Sequence, residues 1–195
     1  ELLRHAPCAV LLVKVAKPYH RPVILTAIDP FHTHEKPARL DAALLAASGA
    51  VAESLKGKLH IVHCVPPSTM IATGWASGPV VVDAGRGTKA LSRARQALAA
   101  EVARHPLPSH KLAILEGAAR EAIPLAARQV KASLVVMGAV SRSGLKRLLI
   151  GNTAEAILDS LTCDVLVIKP GRFQSKVARR SRGAQLMSLP NAMTG

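Results

Sequence analysis

The residues with the clearest chemical potential form a glycine-punctuated basic loop that joins a buried apolar segment to a helix. The stretch runs Val135-Val-Met-Gly-Ala-Val-Ser-Arg-Ser-Gly-Leu-Lys-Arg-Leu-Leu-Ile-Gly-Asn-Thr-Ala-Glu155. A helix opening at Asn152 has free amides and a positive dipole end, which suit a phosphate, and Gly151 would let it approach. Three side chains would add positive charge: Arg142, Lys146 and Arg147. A helix capped by Asn152 beside a solvated basic loop fits the same residues, so both interpretations stay open.

A second candidate is Asp29, which directly follows an apolar run and precedes Pro30. If the run is a strand of a parallel sheet, Asp29 lies at the carboxyl edge, where open sheets bind ligands. Its carboxylate would accept hydrogen bonds from a ribose or a base. It would equally well cap the turn before Pro30, and the sequence favours neither role.

Other chemical patterns are weaker. His60 and His63 point to opposite faces of a strand, and His32 and His34 fall in a polar turn, so we expect no metal site. Cys64 ends a strand and fits a core position better than a reactive one. The chain has neither a Gly-x-Ser-x-Gly elbow nor a Gly-x-x-x-x-Gly-Lys-Ser/Thr loop. The run Gly85-Arg-Gly-Thr-Lys-Ala90 fits a dinucleotide fingerprint but lies far from the first strand-to-helix turn. We therefore predict a protein that is not an enzyme.

The elements that must position these residues alternate between strand-length apolar runs and longer stretches of helical period. We predict strands at 23–28, 59–65, 111–115, 133–137 and 164–168, with 66–88 as an excursion over the sheet edge. Four apolar stripes predict helices: Leu40, Leu44, Val51 and Leu55; Leu91, Ala94, Leu98 and Val102; Ile123, Ala126, Ala127 and Val130; Ile157, Leu158 and Leu161. The pattern predicts an α/β fold, with a five-stranded, mainly parallel open sheet covered by helices on both faces.

Composition restricts the class of protein. The chain has 195 residues, of which 49% are hydrophobic, and a net charge of +14. It is therefore not a disordered chain, and no run of about 18 uncharged apolar residues predicts a membrane span. Glu1 and Arg4 do not fit a signal peptide, and three cysteines are typical of reduced thiols, so we expect a cytoplasmic protein. Residues 171–195 form a basic extension, predicted to be disordered, and binding of nucleic acid through it is the less favoured interpretation.

An internal repeat adds information on organisation. Shifting the sequence by 155 residues places Cys8 on Cys163, Val10 on Val165, Leu11 on Leu166 and Lys14 on Lys169. Both pieces read as the end of a helix, a turn, a cysteine and a final strand. We therefore interpret residues 1–17 as the last helix and strand of a preceding copy, in an N-terminally truncated form of a tandem protein, with one complete domain at 18–170.

These motifs resemble the universal stress protein family, and within it the tandem members of the UspE type. The resemblance covers about residues 20–170, and residues 1–15 match the end of a first half. The segments that carry it are Gly138-Ala-Val-Ser-Arg-Ser-Gly144, Gly151-Asn-Thr-Ala-Glu155, Cys163-Asp-Val-Leu-Val-Ile-Lys-Pro170, Leu115-Glu-Gly117 and Ala122-Ile-Pro124. It implies the Rossmann-like, adenine nucleotide alpha hydrolase-like fold with sheet order 3-2-1-4-5.

The resemblance also implies a ligand-binding set, which comprises Asp29, Val65, Gly138, Ser141, Arg142, Gly144, Gly151, Asn152 and Thr153. Nucleotide-binding members carry Gly-x-x-Gly-(nine residues)-Gly-Ser/Thr, and here Ser141 and Asn152 depart from that pattern. A serine at a glycine position with positive φ costs about 1–2 kcal/mol, and an amide does not replace a small hydroxyl donor. We therefore expect weak or absent binding of ATP, with no certain cofactor.

In function, the resemblance implies a cytoplasmic stress-response protein that confers resistance, including resistance to DNA-damaging agents, as a non-catalytic ligand-binding or interaction protein. An adenine nucleotide sensor of the same family is one alternative, and a nucleic-acid-associated protein is another. The family's habit of pairing through final strands implies that residues 8–15 supply an edge strand, either in a tandem protein or in a homodimer.

Overall fold

The computed structural model describes residues 3, 6, 8–31, 39–65, 72–74, 77–80, 84–138 and 152–169, with the side chains of 39, 72–74, 77–80, 84–87, 152 and 153 left out. The strands in these ranges are β1 Val10–Leu12, β2 Val23–Ala27, β3 Lys58–Val65, β4 Ala72–Gly74, β5 Ser77–Val80, β6 His110–Glu116, β7 Leu134–Gly138 and β8 Asp164–Ile168. The helices are α1 Arg39–Ser54, α2 Ala84–Ala103, α3 Ala119–Gln129 and α4 Asn152–Ser160. None of these described helices is long and apolar enough to cross a membrane.

The main sheet has the order β6-β3-β2-β7-β8-β1. The neighbours from β6 to β8 are parallel, which confirms the predicted order of those five strands. Val135 and Val136, at the centre of β7, are both fully buried. The unbroken apolar character of the central strands follows from their burial on both faces.

Helices cover both faces of the sheet. One core cluster joins β2, β3 and β7 to α1 and α2, and its helical members are Leu40, Leu44, Leu45, Ala52, Leu98 and Val102. The other joins the opposite face to α3 and α4, and its helical members are Ile123, Ala126, Ala127, Ile157 and Leu158. The helices α1 and α2 therefore cover one face, and α3 and α4 cover the other. The connections change face where the sheet passes from β2 to β7, which places the switch point of the fold between these two strands.

The main sheet has six strands, because Val10–Leu12 adds an antiparallel strand beside β8, inside the edge strand expected at 8–15. One prediction about the connections is wrong. Within 66–88, predicted as an excursion, β4 and β5 form a separate antiparallel pair and α2 already begins at Ala84. Gly85 and Gly87 therefore lie inside a helix, where an alanine-rich sequence outweighs the low helix propensity of glycine. This placement rules out the dinucleotide fingerprint, which needs a turn from strand to helix.

Candidate functional site

The candidate site is the crevice at the carboxyl ends of β2 and β7, where the fold has its switch point. β7 ends at Gly138, and β2 is followed by Ile28 and Asp29. A Cβ atom at Gly138 would lie 2.8 Å from Cδ2 of Leu40 in α1. The space beside this glycine is therefore filled by α1, which explains the residue by packing and leaves no cradle for a phosphate on that side.

Asp29 performs the turn-capping role that the sequence left open. Its Oδ1 accepts a hydrogen bond of 3.3 Å from the backbone amide of Phe31. The Asp29 amide in turn donates to Oδ1 of Asp41 in α1, also at 3.3 Å. The Asp29 side chain keeps 20% of its surface exposed. The carboxylate is therefore held in place by the turn and still reaches solvent at the edge of the crevice.

A series of contacts joins four residues, from Asp29 to His63, from His63 to Phe31 and from Phe31 to Arg93, and we call them the Asp29 cluster. His63 is 6% exposed, and its Nδ1 lies 3.1 Å from the carbonyl oxygen of Ile28 and 3.9 Å from Oδ1 of Asp29. The backbone carbonyl only accepts, so Nδ1 carries a proton and donates it.

The rings of Phe31 and His63 are tilted by 57° to each other, and the Arg93 guanidinium lies over the Phe31 ring. The rings of Phe31 and His63 are 5.5 Å apart, and the Arg93 guanidinium lies 5.6 Å from the centre of the Phe31 ring. The Asp29 carboxylate, the Phe31 ring and the exposed Arg93 cation are accessible groups that can contact a polar, planar molecule, while the buried His63 ring supports Phe31 from behind. Sequence reasoning considered His63 only as a metal ligand and missed Phe31 and Arg93. The available signal was a phenylalanine close after Asp29 in a chain with 2% aromatic residues.

Cys64, next to His63, is a thiol at neutral pH. Burial raises its pKa to about 11, and the negative charge of Asp29 adds to the shift. Reactive cysteines have lowered pKa values because the thiolate is the nucleophile. The prediction that Cys64 is not a nucleophile agrees with this environment.

Val65 ends β3, the strand next to β2, and is buried. Its carbonyl accepts a hydrogen bond of 2.8 Å from the amide of Gly117. Gly117 has a φ of +122°, which requires glycine, and this accounts for the Leu115-Glu-Gly117 motif. In the described residues, Val65 therefore connects β3 to the turn after β6.

The remaining predicted residues divide into two groups. Asn152 and Thr153 are the first residues of α4, and only their backbone is described. The other predicted site residues lie outside the described residues, as do the loop cations and the turn histidines: Ser141, Arg142, Gly144, Gly151, Lys146, Arg147, His32 and His34. Their binding roles stay predictions. In the described part of the chain, no cluster of three His, Cys, Asp or Glu side chains could hold a metal ion.

A cavity of about 450 Å³ lies away from this crevice, at the β6 edge of the sheet. It is lined by Arg95, Leu98 and Ala99 of α2 and by Leu112, Ala113 and Ile114 of β6. None of these six lining residues belongs to the Asp29 cluster.

Comparison with known proteins agrees with the fold and the motifs. The model of the universal stress protein family matches residues 21–169. Universal stress protein E of Escherichia coli K12 is 31% identical over 187 residues, which is 91% of this chain and 56% of that protein. The universal stress protein E homolog of Haemophilus influenzae is 30% identical over 182 residues, covering 88% and 55%.

A solved structure is also similar. A functionally unknown protein from Pseudomonas aeruginosa PAO1 superposes with a TM-score of 0.67 at 33% identity, covering 87% of this chain and 55% of that one. The chain therefore spans about half the length of the relatives that it matches. The family model covers most of the chain, and the relatives named E align with nearly all of it. The chain thus belongs to the universal stress protein family and is a UspE-like member.

Proposed function

We propose that this chain is a cytoplasmic stress-response protein that binds a small polar ligand in the crevice between β2 and β7 without a chemical reaction. The observation that carries the proposal is the Asp29 carboxylate, which is fixed by the Phe31 amide yet remains partly exposed at the switch point. A fixed and accessible acceptor beside aromatic rings and a cation is a binding arrangement. The stress-response part of the proposal is supported by the similarity to relatives named universal stress protein E.

The chemistry of the described residues supports binding rather than catalysis. Cys64 keeps its proton at neutral pH, and His63 uses Nδ1 to donate to a backbone carbonyl. A cysteine nucleophile is activated by an adjacent base or by a lowered pKa, because the thiolate is the reactive form. The raised pKa of Cys64 has the opposite effect, and this supports the non-catalytic role.

The direct test is identification of a ligand that accompanies the protein. Native mass spectrometry of protein purified from stressed cells should show a bound small molecule, and Asp29→Asn should reduce its occupancy by about tenfold. Glu53→Gln is the matched control, because Glu53 is exposed near the end of α1. An unliganded protein, or equal loss in both variants, would contradict the proposal. Survival of a deletion strain after treatment with a DNA-damaging agent tests the stress role separately.

A second candidate is an adenine nucleotide sensor, and the start of α4 at Asn152 favours it, because the free amides of a helix start suit a phosphate. Leu40 beside Gly138 and the departures at Ser141 and Asn152 predict weak affinity. Restoring the family pattern with Ser141→Gly and Asn152→Ser should raise ATP affinity at least about tenfold in calorimetry. No signal before or after restoration would reject the sensor.

The basic residues 171–195 offer a third, less favoured role in nucleic-acid binding. Such binding would fall steeply with salt, because it releases counterions from phosphates. Binding that persists after removal of these residues, or that ignores salt, would count against it.

A further inference from the structure

The pairing of β1 with β8 follows the symmetry of the sequence repeat. In the structure Val10 lies opposite Val167, Leu11 opposite Leu166 and Leu12 opposite Val165. Under the shift of 155 residues, Val10 corresponds to Val165 and Leu12 to Val167, so the first pair becomes the third. Leu11 corresponds to Leu166, so the central pair becomes itself. The two copies of the final strand are therefore related by a local two-fold axis that passes between Leu11 and Leu166.

Two lysines repeat this symmetry. Nζ of Lys14 donates to the carbonyl oxygen of Leu161 at 2.7 Å and also to that of Leu158, at the end of α4. Nζ of Lys169, the counterpart of Lys14, donates to the carbonyl oxygen of Ala6 at 2.5 Å. Ala6 is the counterpart of Leu161 under the same shift. The lysine that follows each strand thus donates to backbone carbonyls of the other copy, as cations do at helix C-termini.

Asp164 breaks the symmetry. Its Oδ1 accepts the backbone amides of Lys14 at 2.7 Å and of Val15 at 3.0 Å, and its Oδ2 accepts the Tyr19 hydroxyl at 2.5 Å. Its counterpart in the first copy is Ala9, whose side chain has no acceptor, and the counterpart of Val15 is Pro170, which has no N–H. Across the β1–β8 pair, the second segment therefore supplies a carboxylate acceptor to donors of the first, and the first segment supplies no equivalent acceptor side chain in return.

We infer that Asp164 selects the partner of β8, so that β8 pairs with the strand of the preceding repeat in the same chain and not with β8 of a second molecule. A symmetric pair of β8 strands would place Pro170 where Val15 stands and Gln174 where Tyr19 stands. Each Asp164, which is 3% exposed in the present pairing, would lose the Val15 amide as a donor. A buried carboxylate with fewer donors is costly, so the pairing with β1 is preferred.

Asp164 also determines the path of the chain after β1. Because both carboxylate oxygens are bonded to residues 14–19, this segment is held against the start of β8. In this arrangement the two lysines fix the register of β1 against β8, because each bonds to backbone carbonyls of the other segment. Asp164 makes the two segments different, because only the second has this carboxylate. Asp164 is thus a positioning residue of an interface between repeats, remote from the Asp29 cluster.

A double-mutant cycle in the full chain tests this inference. Val15→Pro gives the first copy the residue found in the second, and Asp164→Ala removes the acceptor. The readout is hydrogen exchange at the amides of residues 10–13, which are not donors to Asp164. Each single variant should lower their protection by about tenfold or more, the order expected for charge-assisted hydrogen bonds. Val15→Pro should then cause little further loss in the Asp164→Ala background.

Two further measurements keep the test decisive. Tyr19→Phe removes one donor only and should cause a smaller loss of protection, so it serves if Asp164→Ala does not fold. Light scattering gives the mass of the wild-type chain in solution, and hydrogen exchange on the same sample gives the protection of the amides of residues 10–13. We expect no dimer in which these amides are unprotected. Full additivity of the two substitutions would overturn the inference, because Val15 would then act independently of Asp164. A wild-type dimer with exposed β1 amides would overturn it as well.

Discussion

Leu11 lies directly opposite Leu166 in the β1–β8 pair, and the same two residues coincide when the chain is shifted by 155 positions. When two similar strands pair antiparallel with equivalent residues opposite each other, a local two-fold axis passes between those two residues, here Leu11 and Leu166. The similarity between the two segments therefore has a geometric counterpart, and the differences between them, at Asp164 above all, become interpretable.

The first prediction concerns the titration of Tyr19. Burial raises its pKa well above the usual value, and the hydrogen bond to Asp164 and the charge of that carboxylate add to the shift. Tyr19 is the one tyrosine of the chain, so the near-ultraviolet absorbance of tyrosinate reports on it alone. We expect ionisation far above about pH 10 in the folded protein, and Asp164→Asn should move it down.

The control for this titration is the protein in guanidinium chloride, where Tyr19 should ionise near about pH 10. A raised pKa means that the stabilisation is present below the unfolded value and disappears as the pH rises through the folded value. Circular dichroism at each pH identifies unfolding. A folded protein whose tyrosine titrates normally would contradict the Tyr19–Asp164 contact.

The second prediction concerns stability in acid. Burial favours a higher pKa for Asp164, but hydrogen bonds from Tyr19 and from the amides of Lys14 and Val15 outweigh it and hold the pKa below its usual value. A lowered pKa gives stability that is present above the unfolded value of about 4 and is lost as the pH falls through the folded value.

Urea unfolding of wild type and Asp164→Asn measures this effect. The variant should be less stable by about 1–3 kcal/mol near about pH 7, and the difference should shrink steadily below about pH 4. Asp159→Asn is the control, because Asp159 is exposed in the last turn of α4, close to Asp164 in sequence. A constant difference across the whole pH range would show that the Asp164 charge does not contribute.

The fold was predictable where one physical cause dominates. The five parallel strands followed from apolar runs buried on both faces, such as 134–136 in β7, whereas their order was implied by the family resemblance. The start of α2 was missed because Gly85 and Gly87 oppose helix formation locally, whereas the energy of the helix comes from its alanine-rich remainder and its packing at Leu98 and Val102.

The candidate site was less predictable because its contacts are distant in sequence. Asp29 was identified from its position after a strand, yet His63, its neighbour, comes from β3, and Arg93, which contacts Phe31, comes from α2. Whether Arg93 reaches Phe31 depends on how α2 is rotated about its axis, which a stripe of apolar residues defines only coarsely. Asp164 looked like an ordinary polar residue at the start of a strand, because its partners precede it by 145–150 residues.

The third prediction concerns Gly138. Replacement by alanine places a Cβ at 2.8 Å from Cδ2 of Leu40 and should destabilise the protein by about 1–3 kcal/mol in urea. Leu40→Val removes the Cδ atoms, so the double variant should be more stable than the sum of the two single effects predicts. Exact additivity would mean that the contact between Gly138 and α1 does not limit this position.

The fourth prediction concerns the reactivity of the cysteines. Cys8 is exposed, Cys163 is buried, and burial followed by the charge of Asp29 raises the pKa of Cys64 to about 11. At about pH 8 a shift of this size leaves about one hundredfold less thiolate than at an ordinary thiol. In mass-spectrometric alkylation, Cys8 should react first and Cys64 slowly. Asp29→Asn should accelerate Cys64 by only about threefold, because burial, the larger cause, remains.

Cys163 provides the internal comparison in this experiment, because its raised pKa has burial as its main cause and Asp29 is not among the groups that shift it. Its rate should therefore be the same in wild type and in Asp29→Asn. Equal acceleration of both thiols would indicate general loosening of the fold. Acceleration of Cys64 alone would show that the Asp29 charge acts inside the crevice, and a Cys64 as fast as Cys8 in wild type would contradict the non-nucleophilic role on which the proposed function depends.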